Sequence, residues 1–145
     1  MASTVPQSPE ISGYTITEQI YRSLRTTVYL AIQNDQKFPV VIKVLQQKYP
    51  TFGESVQFRN QYAIAKNLPL AGIIQPLSLE QFGNGYALVM ADWGGISLET
   101  YIQQQPLDIA DILGIAIQLA DILHELRDFQ KINYSINNDN HFQRG

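Results

Sequence analysis

The chain has 145 residues, 45% apolar and 16% charged, with a formal net charge of -3 at pH 7. That is enough apolar material for one domain with a buried core, and it excludes a wholly disordered chain. Cysteine is absent, which excludes disulfides, thiol catalysis and Cys-ligated zinc. The acidic balance argues against a nucleic-acid surface, which needs clustered Lys and Arg. No apolar run reaches membrane-helix length, and Met1 to Glu10 lack the basic and apolar regions of a secretion signal. The expectation is a cytoplasmic protein.

Residues 1–12, polar and carrying Pro6 and Pro9, read as a disordered lead-in. From Tyr14 the pattern alternates, with Tyr14, Ile16 and Ile20 on one side and Thr15 and Thr17 opposite, as in a half-buried strand. Val28, Leu30 and Ile32 alternate with Tyr29 and Ala31 in a second strand, after which Asn34-Asp35 supplies turn chemistry. Pro39 to Leu45 is a third strand, with Val40, Ile42 and Val44 on one face and Val41, Lys43 and Leu45 on the other. The period then changes. Between Glu54 and Leu68, Phe58, Tyr62, Ala65 and Leu68 recur at helical steps, and Pro69 and Gly72 punctuate the end. Ile73 to Phe82 and Tyr86 to Met90 are two more strands around the turn Gly83-Asn84-Gly85. After Trp93-Gly94-Gly95 comes a short helix, Leu98 to Gln104, and Asp108 then caps a long one. The buried stripe expected for that helix is Ile109, Ile112, Leu113, Ala116, Leu119, Ala120 and Leu123, and the chain turns polar after Asp128.

Strands first and helices afterwards indicate an α+β fold rather than an alternating parallel sheet. Lys43 has two readings. Either its stem lies along a sheet edge with the ammonium in water, or the ammonium meets an anionic partner, because burying an uncompensated charge is costly.

The order of elements, the lysine in the third strand and four segments carry a resemblance. The segments are Ile11-Ser12-Gly13-Tyr14, Thr27-Val28-Tyr29-Leu30-Ala31, Val41-Ile42-Lys43-Val44-Leu45 and Leu88-Val89-Met90-Ala91-Asp92-Trp93-Gly94-Gly95. Over residues 13–142 the chain resembles the front of a bacterial serine/threonine protein-kinase-like domain, of the kind that opens multidomain sensor kinases with ATPase, GAF and histidine-kinase modules. The resemblance implies a small lobe and hinge over 13–95, with a five-stranded antiparallel sheet plus one helix. Over 96–145 it implies the first helices of a large lobe, truncated in the catalytic loop. It also implies ATP and magnesium as cofactors, bound weakly. Lys43 would face the nucleotide phosphates. Val28 would form the adenine ceiling with Ala31 further along the same strand, Met90 would be the gatekeeper, and the backbone of Ala91 and Trp93 would bond adenine.

The chain also departs from the family pattern. The loop glycines that admit phosphates are replaced by Tyr21, Ser23 and Thr26. The helix carboxylate that pairs with the lysine falls on Gln61, an amide able to accept a hydrogen bond but carrying no charge. Glu54 falls in the first helical turn, where it complements the helix dipole. The segment Ile132 to Asn140 matches a catalytic loop in which the histidine has become Asn133, the base aspartate Ser135 and the proline Asn138. Asn140 alone keeps a family role there, as a magnesium ligand; Asp139 beside it faces differently. His124 is expected on the solvent side of a helix and His141 in a frayed tail. The metal-binding D-F-G segment is not reached.

The leading expectation is therefore a truncated, degenerate kinase-like domain, a pseudokinase, that retains ATP binding without phosphotransfer. A second is a regulatory module in signal transduction that binds a protein partner through the exposed helix 108–126 and takes no nucleotide. A third is part of an active kinase completed by another segment.

Overall fold

The structure, a computed structural model, describes residues 9–46 and 50–142, with side chains through Phe129. The element order is β1 (Tyr14–Arg22), β2 (Thr26–Gln33), β3 (Phe38–Leu45), α1 (Phe52–Lys66), β4 (Pro76–Phe82), β5 (Gly85–Ala91), α2 (Leu98–Gln104) and α3 (Ile109–Phe142). The strands form one antiparallel sheet in the order β1-β2-β3-β5-β4. The chain divides into two compact units. One holds the residues up to 67 together with 74–94, and the other holds 68–73 and the chain from 95 onward.

The sheet unit is built on the alternation visible in β3. Val40, Ile42 and Val44 are 0%, 0% and 3% exposed, and they pack with Ala31, Ala87 and Val89. Hairpins fix the register. The two-residue turn Gly83-Asn84 closes β4 onto β5, with Phe82 paired to Gly85 and Gly83 at φ 55. A positive φ at the first turn position is what this hairpin class requires, and glycine adopts it without a Cβ clash. Helix α1 begins with a capping box. Thr51 Oγ1 accepts from Glu54 N at 3.2 Å, and the Glu54 carboxylate accepts from Thr51 N at 2.9 Å. Phe58 is the residue α1 buries against the sheet.

Several expectations need correction. Ile11, assigned to the lead-in, is 4% exposed and belongs to the core, and its carbonyl accepts from Tyr14 N at 3.0 Å. An apolar side chain one turn ahead of a strand covers the end of the sheet's apolar face. Residues 1–8 lie outside the described residues. Ile20 is exposed instead of following Tyr14 and Ile16 inward, because β1 carries irregularities between Ile16 and Glu18 and between Gln19 and Tyr21. Each extra residue changes the phase of a period of two. Strand β4 starts at Pro76, not Ile73; a residue without an N–H is tolerated as the first of an edge strand.

In the second unit, Ser97 caps α2 and Asp108 caps α3, with Asp111 N donating to Asp108 Oδ1 at 2.8 Å. The stripe expected to be buried on α3 is exposed throughout, from Ile109 (77%) to Leu123 (64%). The half-buried face is Ile115, Ile122, Leu126 and Phe129 instead. Gly72, at φ 84, lies against this face: a Cβ there would stand 2.6 Å from Ile122 Cδ1. The expected catalytic loop, 132–140, is not a loop. Its backbone continues α3 to Phe142. No Pro or Gly occurs between Ile115 and Arg144, so nothing in that stretch removes a backbone donor or breaks the helix.

Candidate functional site

The cross-strand register brings Val28, Lys43 and Leu88 side by side, and Val41 beside Met90, on the sheet face opposite the Val40–Ile42–Val44 core. Lys43 is half-buried there. Its Nζ donates to Gln61 Oε1 at 3.2 Å and lies 5.7 Å from the centre of the Phe58 ring. The helical spacing of Phe58 and Gln61 turns both toward the strand, so α1 holds the ammonium with a neutral amide and an aromatic face.

Around this group lies a cavity of about 170 Å³ lined by Arg25, Thr26, Lys43, Leu45, Glu54, Gln57, Phe58 and Gln61. Glu54 is its acidic group, and the carboxylate is already bonded to Thr51 N and Oγ1. The backbone bond from Thr51 holds the Glu54 carboxyl below its ordinary range, helped by the Thr51 hydroxyl and by the positive Arg25. It caps the helix and makes no bond to Lys43.

The turn between β1 and β2 is built differently from a glycine loop. Ser23 N donates to Thr26 O at 2.8 Å, and Ser23 Oγ receives the amides of Arg25 (3.3 Å) and Thr26 (3.1 Å). Gln46, with its amide nitrogen toward Ser23 O (3.1 Å) and its oxygen toward Thr27 Oγ1 (3.2 Å) and Arg22 Nε, ties this turn to the end of β3. The amides of Arg25 and Thr26 are thus satisfied by a side chain of the same turn, whereas a glycine loop aims them at a ligand. Tyr21 belongs to β1 and pairs with Val28.

The expected adenine-side residues fall in two groups. Val28 and Met90 share the Lys43 face and are half-buried. Ala31 and Ala91 point to the other face and are buried, at 2% and 7% exposed. Past Ala91, Asp92 N still bonds Pro39 O (3.2 Å), and Asp92 Oδ1 accepts from Gly94 N (2.8 Å) as the chain turns with Gly94 at φ 69. Trp93 on that turn is 80% exposed. Ser135, His141 and Asn140 have described backbone in α3, but their side chains lie outside the described ones. His124 is exposed and 3.2 Å from Asp128.

Two contributors were not singled out from the sequence. Arg25 enters the cavity, and a cation in the β1–β2 turn was the available signal. Phe58 was assigned to packing, while its closeness to the third-strand lysine depends on how α1 lies on the sheet. Among the described residues no group of three His, Asp or Glu is placed to hold a metal ion, and the side chain of Asn140, the expected magnesium ligand, lies outside the described ones. No helix is long and apolar enough to cross a membrane among the described residues.

Comparison with known proteins places the fold. A solved structure described as "PpkA-294 apo form", a bacterial Ser/Thr kinase, matches with a TM-score of 0.56 and 16% sequence identity, over 72% of this chain and 44% of that one. The chain thus spans less than half the length of this neighbour. At this identity the likeness is one of fold: an α+β, kinase-like arrangement of a five-stranded antiparallel sheet with helices. No family model matches the chain, and no curated protein matches it in sequence.

Proposed function

We propose that this chain is a degenerate serine/threonine protein-kinase-like domain that binds the phosphates of ATP at Lys43 and performs no phosphotransfer. The observation that carries the reading is the Lys43–Gln61 hydrogen bond inside a cavity shared with Arg25. An amide partner carries no charge of its own, so it leaves the lysine's attraction for an anionic ligand uncompensated. Val28 and Met90 on the same face supply the apolar wall that an adenine ring needs.

Phosphotransfer needs more than binding. A positioned general base contributes about 10²–10⁴-fold, and the family's aspartate is replaced by Ser135, in a segment whose backbone is helical. A serine hydroxyl has no proton affinity near neutral pH comparable to a carboxylate. The same replacement argues against an active kinase completed by another segment.

The test is a thermal-shift titration with ATP. Ligand at ten times Kd stabilises the folded state by about 1.4 kcal/mol, a shift of several degrees for a domain of this size. Lys43→Met is expected to remove the shift while leaving the unliganded Tm nearly unchanged. No shift with the unsubstituted chain at millimolar ATP overturns the reading.

One observation favours a second reading, a regulatory module that binds a protein partner and no nucleotide. Ile109, Ile112, Leu113, Ile117, Leu119 and Leu123 on α3 are all more than half exposed. An apolar surface of that extent recruits a partner or aggregates. Light scattering decides it: a monodisperse monomer that also fails to gather any apolar dye removes the basis for this reading.

A further inference from the structure

The charge balance at Lys43 has a consequence for the form of its ligand. Among the described residues, three formal charges line the cavity: Lys43 and Arg25 are positive, and Glu54 is negative. Glu54 spends its carboxylate on Thr51, and Gln61 contributes no charge to Lys43. The cavity therefore carries one positive charge in excess. The turn amides of Arg25 and Thr26 are bonded to Ser23 Oγ, so the side-chain cations are the groups left to attract an anion.

Resting on the nucleotide reading above, we propose that this site takes the polyphosphate tail of its ligand as the free anion, without a divalent cation. A lysine paired with a carboxylate is neutral overall and gains by a ligand that brings its own cation. A lysine paired with an amide is not neutral, and a metal ion on the tail would be repelled by the excess charge while lowering the negative charge that Lys43 and Arg25 attract.

The experiment is calorimetric titration of the full chain with ATP in EDTA, ATP with excess magnesium, inorganic tripolyphosphate in EDTA, and adenosine. It is repeated on Gln61→Glu, with the unliganded Tm of each protein as a check on folding. ATP in EDTA is expected to bind about tenfold more tightly than ATP with magnesium, a size typical of one partly solvated charge interaction. Tripolyphosphate tells whether the tail alone suffices: binding within about tenfold of ATP assigns the affinity to the phosphates, and it too is expected to weaken with magnesium. Gln61→Glu is expected to weaken binding in EDTA about threefold to tenfold and to narrow or reverse the magnesium effect. Equal or tighter binding with magnesium, or a Gln61→Glu protein with the same magnesium ratio, overturns this inference and leaves nucleotide binding standing. Absence of binding in every arm overturns both.

Discussion

The sheet and helix α3 are both rich in Ile, Leu and Val, yet they dispose of them differently. In β3 and β5, Val40, Ile42, Leu88 and Val89 are all within 1% of complete burial. On α3 the residues of the expected stripe remain in solvent, and the helix is apolar on nearly every side over Ile109–Leu123. The difference lies in how each element satisfies itself. A strand needs neighbours for its backbone hydrogen bonds, so the pairing that forms the sheet also stacks its side chains into a core. A helix closes its backbone bonds internally and can persist with an uncovered face.

This contrast is open to direct disruption. The largest effect is expected from Ile42→Ala, a truncation at a fully buried position costing about 2–5 kcal/mol, against a change within about 0.5 kcal/mol for Leu123→Gln on the open helix face. Urea unfolding of both variants measures the pair. Equal losses would mean that α3 buries its stripe in solution.

Asn138→Pro comes next. A proline inside α3 removes one backbone bond and costs about 3 kcal/mol locally. The expected result is a drop in helical circular dichroism with the sheet's unfolding midpoint unchanged. An unaltered helical signal would show that this segment is not helical and would restore the loop expected from the catalytic-loop resemblance.

The smallest effects concern the start of α1, which positions Gln61. Thr51→Ala removes the cap and is expected to cost about 1 kcal/mol. The same box responds to pH. The Glu54 carboxyl is held below its ordinary value of 4.5 by its bonds to Thr51. Its contribution is therefore complete above that value and is lost as pH falls through the depressed one. The protection of the first α1 amides, relative to the intrinsic exchange rate at each pH, is expected to fall in acid, and Glu54→Gln is expected to flatten that dependence. A pH-independent α1 would contradict the capping box.

Much of the sheet was legible. In β3 the alternation named both faces correctly, and Gly83-Asn84-Gly85 announced its hairpin. Gln61, expected to point inward from its spacing to Phe58, is exposed, although its side chain reaches Lys43. Less legible were Ile20 and Ile11. The first depends on irregularities in β1 that leave no composition signal, and the second depends on where a short segment meets the sheet's end. Arg25 and Phe58 entered the Lys43 cavity for the same kind of reason, since neither is near Lys43 in sequence.

By itself, then, the sequence determined the strand and helix periods, the turn chemistry and the residue types at Lys43, Gln61 and Ser135, because local sterics and hydrogen bonding act over a few residues. Tertiary structure alone decided the remaining points: which apolar face of α3 is covered, and that Arg25 stands beside Lys43. Those depend on distances between segments far apart along the chain, and burial and charge balance are properties of such distances.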